Sequence, residues 1–199
     1  MNLGEYRAVF IVGGLILVLA ASAPTVSLFL PLSREGERFS ELWVLGSGHM
    51  AEDYPFNVRA DLSYLVYVGV GIHMGSSMYY NVIVKFRNQS EPLPNATAGT
   101  PSLLPPLYEY RVFLEDGETW EASVTFSFSG VSFFDNRSLV EVFKVNELAF
   151  SVDKVALWDA ENDGYYYQVF IELWIYNVES DSFQYHNRFV GFWLNMTGV

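Results

Sequence analysis

The sequence predicts an all-β domain held behind one apolar helix. Three observations carry this: a charge-free run of twenty-five positions from Ala8 to Leu32, period-two alternation that recurs down the remaining chain, and no stripe of 3.6-residue spacing and helical length beyond that run. The predicted organisation is a cytoplasmic N-terminus and transmembrane helix over residues 1–33, then an extracellular β domain over residues 34–199.

As a helix rising about 1.5 Å per residue, Ala8–Leu32 would extend roughly 37 Å, enough to cross a hydrocarbon core of about 30 Å with some tilt. Ala21-Ser22-Ala23 resembles the small-residue end of a cleaved signal peptide. Pro24 would then stand directly after the cut, and apolar character resumes at Val26, Leu28, Phe29, Leu30 and Leu32, so a retained helix is expected. Gly13 and Gly14 are tolerated in such a helix and would admit a close partner helix.

Arg7 before the run and Arg34 and Arg38 after it, interleaved with Glu35 and Glu37, leave the positive-inside rule nearly silent. Four sequons orient the chain instead: Asn88-Gln-Ser90, Asn95-Ala-Thr97, Asn136-Arg-Ser138 and Asn195-Met-Thr197 use four of eleven asparagines. Random composition would give about one or two. The expectation is a single-pass cell-membrane protein whose C-terminal domain lies outside and carries N-linked glycans on Asn88, Asn95, Asn136 and Asn195.

The strands follow in order. Val66, Val68, Val70 and Ile72 share one strand face, and Gly75-Ser76-Ser77 turns the chain into a second strand where Tyr80, Val82, Val84 and Phe86 face one way and Asn81, Lys85 and Arg87 the other. From Asn88 to Pro106 five prolines and two sequons predict a long exposed loop. Tyr108–Leu114 and Trp120–Ser129 read as the next strand pair, joined across Glu115-Asp116-Gly117-Glu118. In the second member Trp120, Ala122, Val124, Phe126 and Phe128 alternate with polar residues, the pattern of a strand wet on one face.

Leu139–Val145 and Ala149–Trp158 are shorter strands, followed by the acidic turn Asp159–Gly164. Tyr165, Tyr167, Val169, Ile171, Leu173 and Ile175 then line one face of a long strand, and Asn177–Ser182 connects it to a last strand over Phe183–Leu194. Seven or eight strands at this spacing favour an immunoglobulin-like β-sandwich over a closed barrel. Tyr166, Phe170, Trp174, Tyr176 and Trp193 put aromatics on the second face as well, which needs a cover: a second sheet, a partner protein or a carbohydrate.

The chain has no cysteine, so packing alone must hold the domain. Its net charge of −12, with only Lys85, Lys144 and Lys154 as lysines, argues against nucleic acid and against a polybasic lipid-binding patch. No nucleophile elbow, phosphate loop, HExxH or dinucleotide fingerprint is present, and no enzyme activity, cofactor or metal is expected. His49-Met50 and His73-Met74, with Met78 and His186, offer imidazole and thioether groups of the kind copper prefers, but neighbours on a strand point to opposite faces. Glu41, Glu52 and Asp53 are candidate paired carboxylates; acidic residues before Tyr54-Pro55 more often cap or solvate a turn.

The segment Phe39-Ser40-Glu41-Leu42-Trp43-Val44-Leu45-Gly46, with Ala51, Tyr54-Pro55 and the glycine-punctuated strand Val66–Ile72, resembles an archaeal family of membrane proteins, domain of unknown function 1616. The likeness covers most of residues 35–195 and is strongest before residue 90. This chain differs in having one membrane helix where many relatives have several, and Ile72-His73-Met74-Gly75 where the family pattern has an asparagine-histidine-glutamate turn. The resemblance implies an archaeal cell surface, where N-glycosylation is common, and no catalytic residues. The expected role is a non-catalytic accessory or interaction subunit of a surface or membrane complex, contacting lipid and other membrane or surface proteins. The alternatives are a structural subunit of an envelope layer or filament, and a carbohydrate- or copper-binding surface protein.

Overall fold

A computed structural model describes residues 6, 11–18 and 37–198. Residues 11–18 are helical, and among the described residues no helix is long and apolar enough to cross a membrane. Most of the span expected over Ala8–Leu32, including Ala21-Ser22-Ala23 and Pro24, lies outside the described residues. The chain divides into two units, Met1–Gly36 and Glu37–Val199, and the second is all-β.

Ten strands build it: β1 (Phe39–Leu45), β2 (Asn57–Val58), β3 (Ser63–His73), β4 (Met78–Asn88), β5 (Tyr108–Leu114), β6 (Thr119–Phe134), β7 (Arg137–Val145), β8 (Leu148–Asp159), β9 (Gly164–Asn177) and β10 (Ser182–Met196). One limb of the curled sheet runs β1-β3-β6-β7-β8 and the other β5-β4-β9-β10-β2, joined where Trp158 and Asp159 at the end of β8 pair with Tyr165 and Gly164 of β9. Every pairing is antiparallel except that of β2 with β10.

Alternation decides which side chains meet. Val66, Val68, Val70 and Ile72 of β3 and Val124, Phe126 and Phe128 of β6 point inward from one limb; Val82, Val84 and Phe86 of β4 and Tyr167, Val169, Ile171 and Leu173 of β9 do so from the other. The limbs meet through aromatic rings: Phe86 lies 4.9 Å from Phe143 and 5.5 Å from Phe128, and Phe126 lies 5.8 Å from Phe192. Each such side chain buried contributes about 1.5–3 kcal/mol by removing apolar area from water, which replaces the disulfides the chain lacks.

Three expectations change. Tyr108–Leu114 and Trp120–Ser129 do not pair with each other: β5 pairs with β4 and β6 with β3, so Glu115–Glu118 carries the chain from one limb to the other. That connection is tied to the end of β3, where Gly117 N–H donates to Ile72 O and Ile72 N–H to Glu118 O. The proline-rich loop is not simply exposed: Pro94 is buried, and Ser102 is buried against Lys85 of β4 and Glu172 of β9. The last strand continues past Leu194 and takes Asn195 and Met196 into the sheet, where they pair with Asn57 and Val58.

Strand β1, absent from the alternation reading, has its own logic. Trp43 stands opposite Gly69 and Glu41 opposite Gly71 on β3. A Cβ on Gly69 would come within 2.2 Å of the Trp43 ring, so the indole occupies the space that the glycine leaves. On the inward side of β1, Ser40 is fully buried; its Oγ lies 2.6 Å from the Tyr80 hydroxyl and 3.1 Å from His186 Nε2. This chain of polar groups ties β1 to β4 and β10 across the core.

Candidate functional site

The outer face of β4 and β9 carries the charged and amide residues that alternation turned away from the core, and most of them are buried. Lys85 Nζ lies 3.0 Å from Glu172 Oε2 with both side chains out of water. The proline-rich loop closes the pair: Lys85 Nζ donates to Ser102 O at 2.8 Å, Ser102 N–H donates to Glu172 Oε1 at 2.8 Å, and Trp174 Nε1 donates to Glu172 Oε2 at 2.9 Å. Every carboxylate oxygen is thus satisfied, the condition under which a buried ion pair is tolerated. Phe170, paired with Lys85 in the sheet, is fully buried on this same face. The cover the aromatic strands required is therefore in good part the chain's own loop. Glu91 adds a strap at the start of the loop by pairing with Lys154 of β8.

Beyond the loop the aromatic face comes to the surface. Phe56, just before β2, Tyr166 on β9 and Trp193 on β10 form a shelf in which Phe56 and Tyr166 lie 6.1 Å apart, tilted by 41°. Two grooves meet there, sharing Phe56 and Trp193. One, of about 440 Å³, runs along β10 beside Tyr54 and Asp53; the other, of about 380 Å³, is bordered by Gln89, Asp159 and Asn162. The inner face of Trp193 rests on the Arg87 guanidinium at 5.1 Å, and Arg87 is itself buried with its Nε donating to Gln168 Oε1 at 2.8 Å. Burial pushes the Arg87 guanidinium below its ordinary pKa. Asp159 accepts from Asn162 Nδ2 at 2.9 Å and from the Asn162 and Glu161 amides, which hold its carboxyl below the usual range.

The sequons fall into two kinds. Asn95 and Asn136 are exposed, Asn95 in the loop and Asn136 in the β6–β7 turn with a φ of 58°. Asn88 is half-buried, its Nδ2 donating to Val155 O at 2.9 Å and its Oδ1 accepting from Ser90 and Glu91. Asn195 is half-buried within β10; its Oδ1 accepts the Tyr165 amide at 3.0 Å and its side chain fills the space beside Gly164.

The histidines lie apart in their contacts. His49 stacks on Tyr67 at 3.6 Å with Nδ1 3.0 Å from Glu121 Oε1, His73 packs on Phe39, and His186 meets Ser40. Among the described residues no group of three or more His, Cys, Asp or Glu is placed to hold a metal. Glu41 lies against Gly71 on the β1–β3 face, whereas Asp53 borders the groove at β10. Sequence reasoning missed the shelf because Phe56 lies outside every strand recognised by alternation; the adjoining Trp193 and Tyr166 were visible as aromatics without an assigned cover.

No curated protein matches the chain. Crystal structures of a beta-glucosidase from Listeria innocua superpose loosely: the complex with gluconolactone at 10% identity and a TM-score of 0.39, and the complex with glucose at 9% and 0.37. Each match covers 81% of this chain and 16% of that chain, so the chain spans a minor part of the enzyme's length. Residues 33–132, from before β1 into β6, match the family model described as domain of unknown function (DUF1616), and on that half of its length the chain belongs to the DUF1616 family.

Proposed function

We propose that this protein is a membrane-anchored, glycosylated, non-catalytic accessory or interaction subunit of an archaeal cell-surface or membrane complex. The run Ala8–Leu32 is the anchor, the N-terminus is cytoplasmic, and the β domain, an immunoglobulin-like sandwich in this reading, stands outside. The facing limbs support the sandwich reading. The observation that carries the function is the use to which the polar residues are put: Lys85, Glu172 and Ser40 are sequestered in packing, while Phe56 and Trp193 stay exposed and share a shelf between two grooves, suited to recognition.

Gentle detergent extraction from native membranes, followed by mass spectrometry, tests this. Partners in fixed ratio support it; self-association alone refutes it and favours an envelope or filament subunit. That second reading has its own observation, since among the described residues β5 has β4 as its single strand neighbour and exposes Phe113.

A further inference from the structure

The shelf has more structure than an apolar patch. Trp193 is backed on one face by a buried cation, so the ring is held before any ligand arrives while the side chain stays 40% exposed. A ring fixed in this way stacks at little cost in side-chain entropy. Phe56, 47% exposed, and Tyr166 extend the platform at an angle.

The polar groups around it are mostly acceptors. Gln89 Nε2 donates to Leu157 O at 2.7 Å, which fixes the amide, and leaves Gln89 Oε1 shielded from solvent without a donor. Asp159 and Asp53 add carboxylates, one beside each groove.

We propose that this shelf binds a neutral glycan, with sugar ring faces stacked on Trp193, Phe56 and Tyr166 and hydroxyls donating to Asp159 and Asp53. The assignment rests on the non-catalytic recognition reading above and names its ligand class. Anionic ligands are disfavoured by the two carboxylates and by the net charge of −12. A lipid chain would leave the acceptors desolvated and unpaired. Strand addition by a peptide along Val190–Trp193 is hindered because Tyr54 stacks on Phe192 at 5.9 Å and Phe56 O accepts the Asn195 amide at 2.7 Å, which hold residues 54–56 against that edge.

The test titrates the full chain in detergent with maltohexaose, chitohexaose and mannohexaose, with polygalacturonate as the acidic comparison and a lysine-rich, proline-rich peptide as the peptide comparison. Tryptophan fluorescence and calorimetry give the readout. At least one neutral oligosaccharide binds saturably, and Phe56→Ala and Trp193→Ala each weaken it by about tenfold or more, the loss of one aromatic stack. Asp159→Asn weakens it several-fold, with thermal midpoints recorded alongside to separate ligand contact from folding. No saturable binding by any of the three sugars, binding indifferent to both Phe56→Ala and Asp159→Asn, or tighter binding of the acidic polymer or the peptide overturns the assignment. Fixed-ratio partners that persist with the shelf variants would leave the accessory-subunit reading standing when the glycan assignment fails; glycan binding without such partners is the converse.

Discussion

Replacing Glu172 by alanine should be among the most damaging single changes in the β domain. The carboxylate is fully buried and accepts from Lys85 Nζ, Ser102 N–H and Trp174 Nε1. Its removal leaves a buried ammonium with Ser102 O as its remaining acceptor, and two donors that lose their partner. Breaking a buried pair costs about 3–5 kcal/mol, mainly because the remaining charge is stranded. For a domain of this size each kcal/mol shifts the midpoint by roughly 2–4 °C, so a fall of about 6–20 °C is expected. Urea denaturation followed by circular dichroism gives the free energy, and limited proteolysis between Ser90 and Leu107 reports whether the loop has come loose. The double variant Lys85→Met with Glu172→Leu removes both charges and should recover most of the loss. A single variant within 1 kcal/mol of the parent by the same urea assay, or a double variant as unstable as the single, would refute the view that the ion pair latches the loop.

Burial, with Arg188 nearby, pushes the His186 imidazole below its ordinary value of 6.5, so the folded state binds its proton more weakly than the unfolded chain does. The associated stability is present above pH 6.5 and is lost as pH falls through the lowered folded value; urea midpoints should drop on acidification, and His186→Gln should flatten that dependence. Gly69→Ala places a Cβ within 2.2 Å of the Trp43 ring and should cost about 1–3 kcal/mol, with Trp43→Ala in the same chain relieving part of it. Intact-mass and peptide mapping of native protein should find glycan on Asn95 and Asn136 and bare amides at Asn88 and Asn195, whose side chains are engaged in the fold; full occupancy at Asn195 would contradict this.

Alternation made the inward faces of β3, β6 and β9 legible, because a strand with one apolar face states its own orientation. It also placed Asn81, Lys85 and Arg87 on the outer face correctly, yet all three are buried. Alternation gives the side on which a residue lies and is blind to a loop that returns to cover it. The composition of residues 89–107 spoke for water, while two backbone groups of Ser102 spoke for burial, and backbone groups leave no mark in a sequence. Pairing was the other gap: β5 and β6 are consecutive and joined by a short turn, but the inward residues of β6 match β3 and those of β5 match β4. Strand β1 alternates too weakly to announce itself, and the family motif that marks it makes sense through Trp43 and its glycine on the neighbouring strand. Of the shelf, Tyr166 and Trp193 were visible as aromatics in need of a cover; Phe56 was visible only once β2 was paired.

The parallel pairing of β2 with Asn195 and Met196 has a consequence for how the molecule is made. Among the described residues β2 has its one strand partner in β10, the last strand of the domain, so this part of the sheet stays open until the whole β domain has been made. Until then the emerging polypeptide would have to wait with Val58, fully buried in the finished domain, still facing solvent. A truncation of even five residues at the C-terminus should therefore trap an aggregation-prone species, although it removes only a small part of the packed interior.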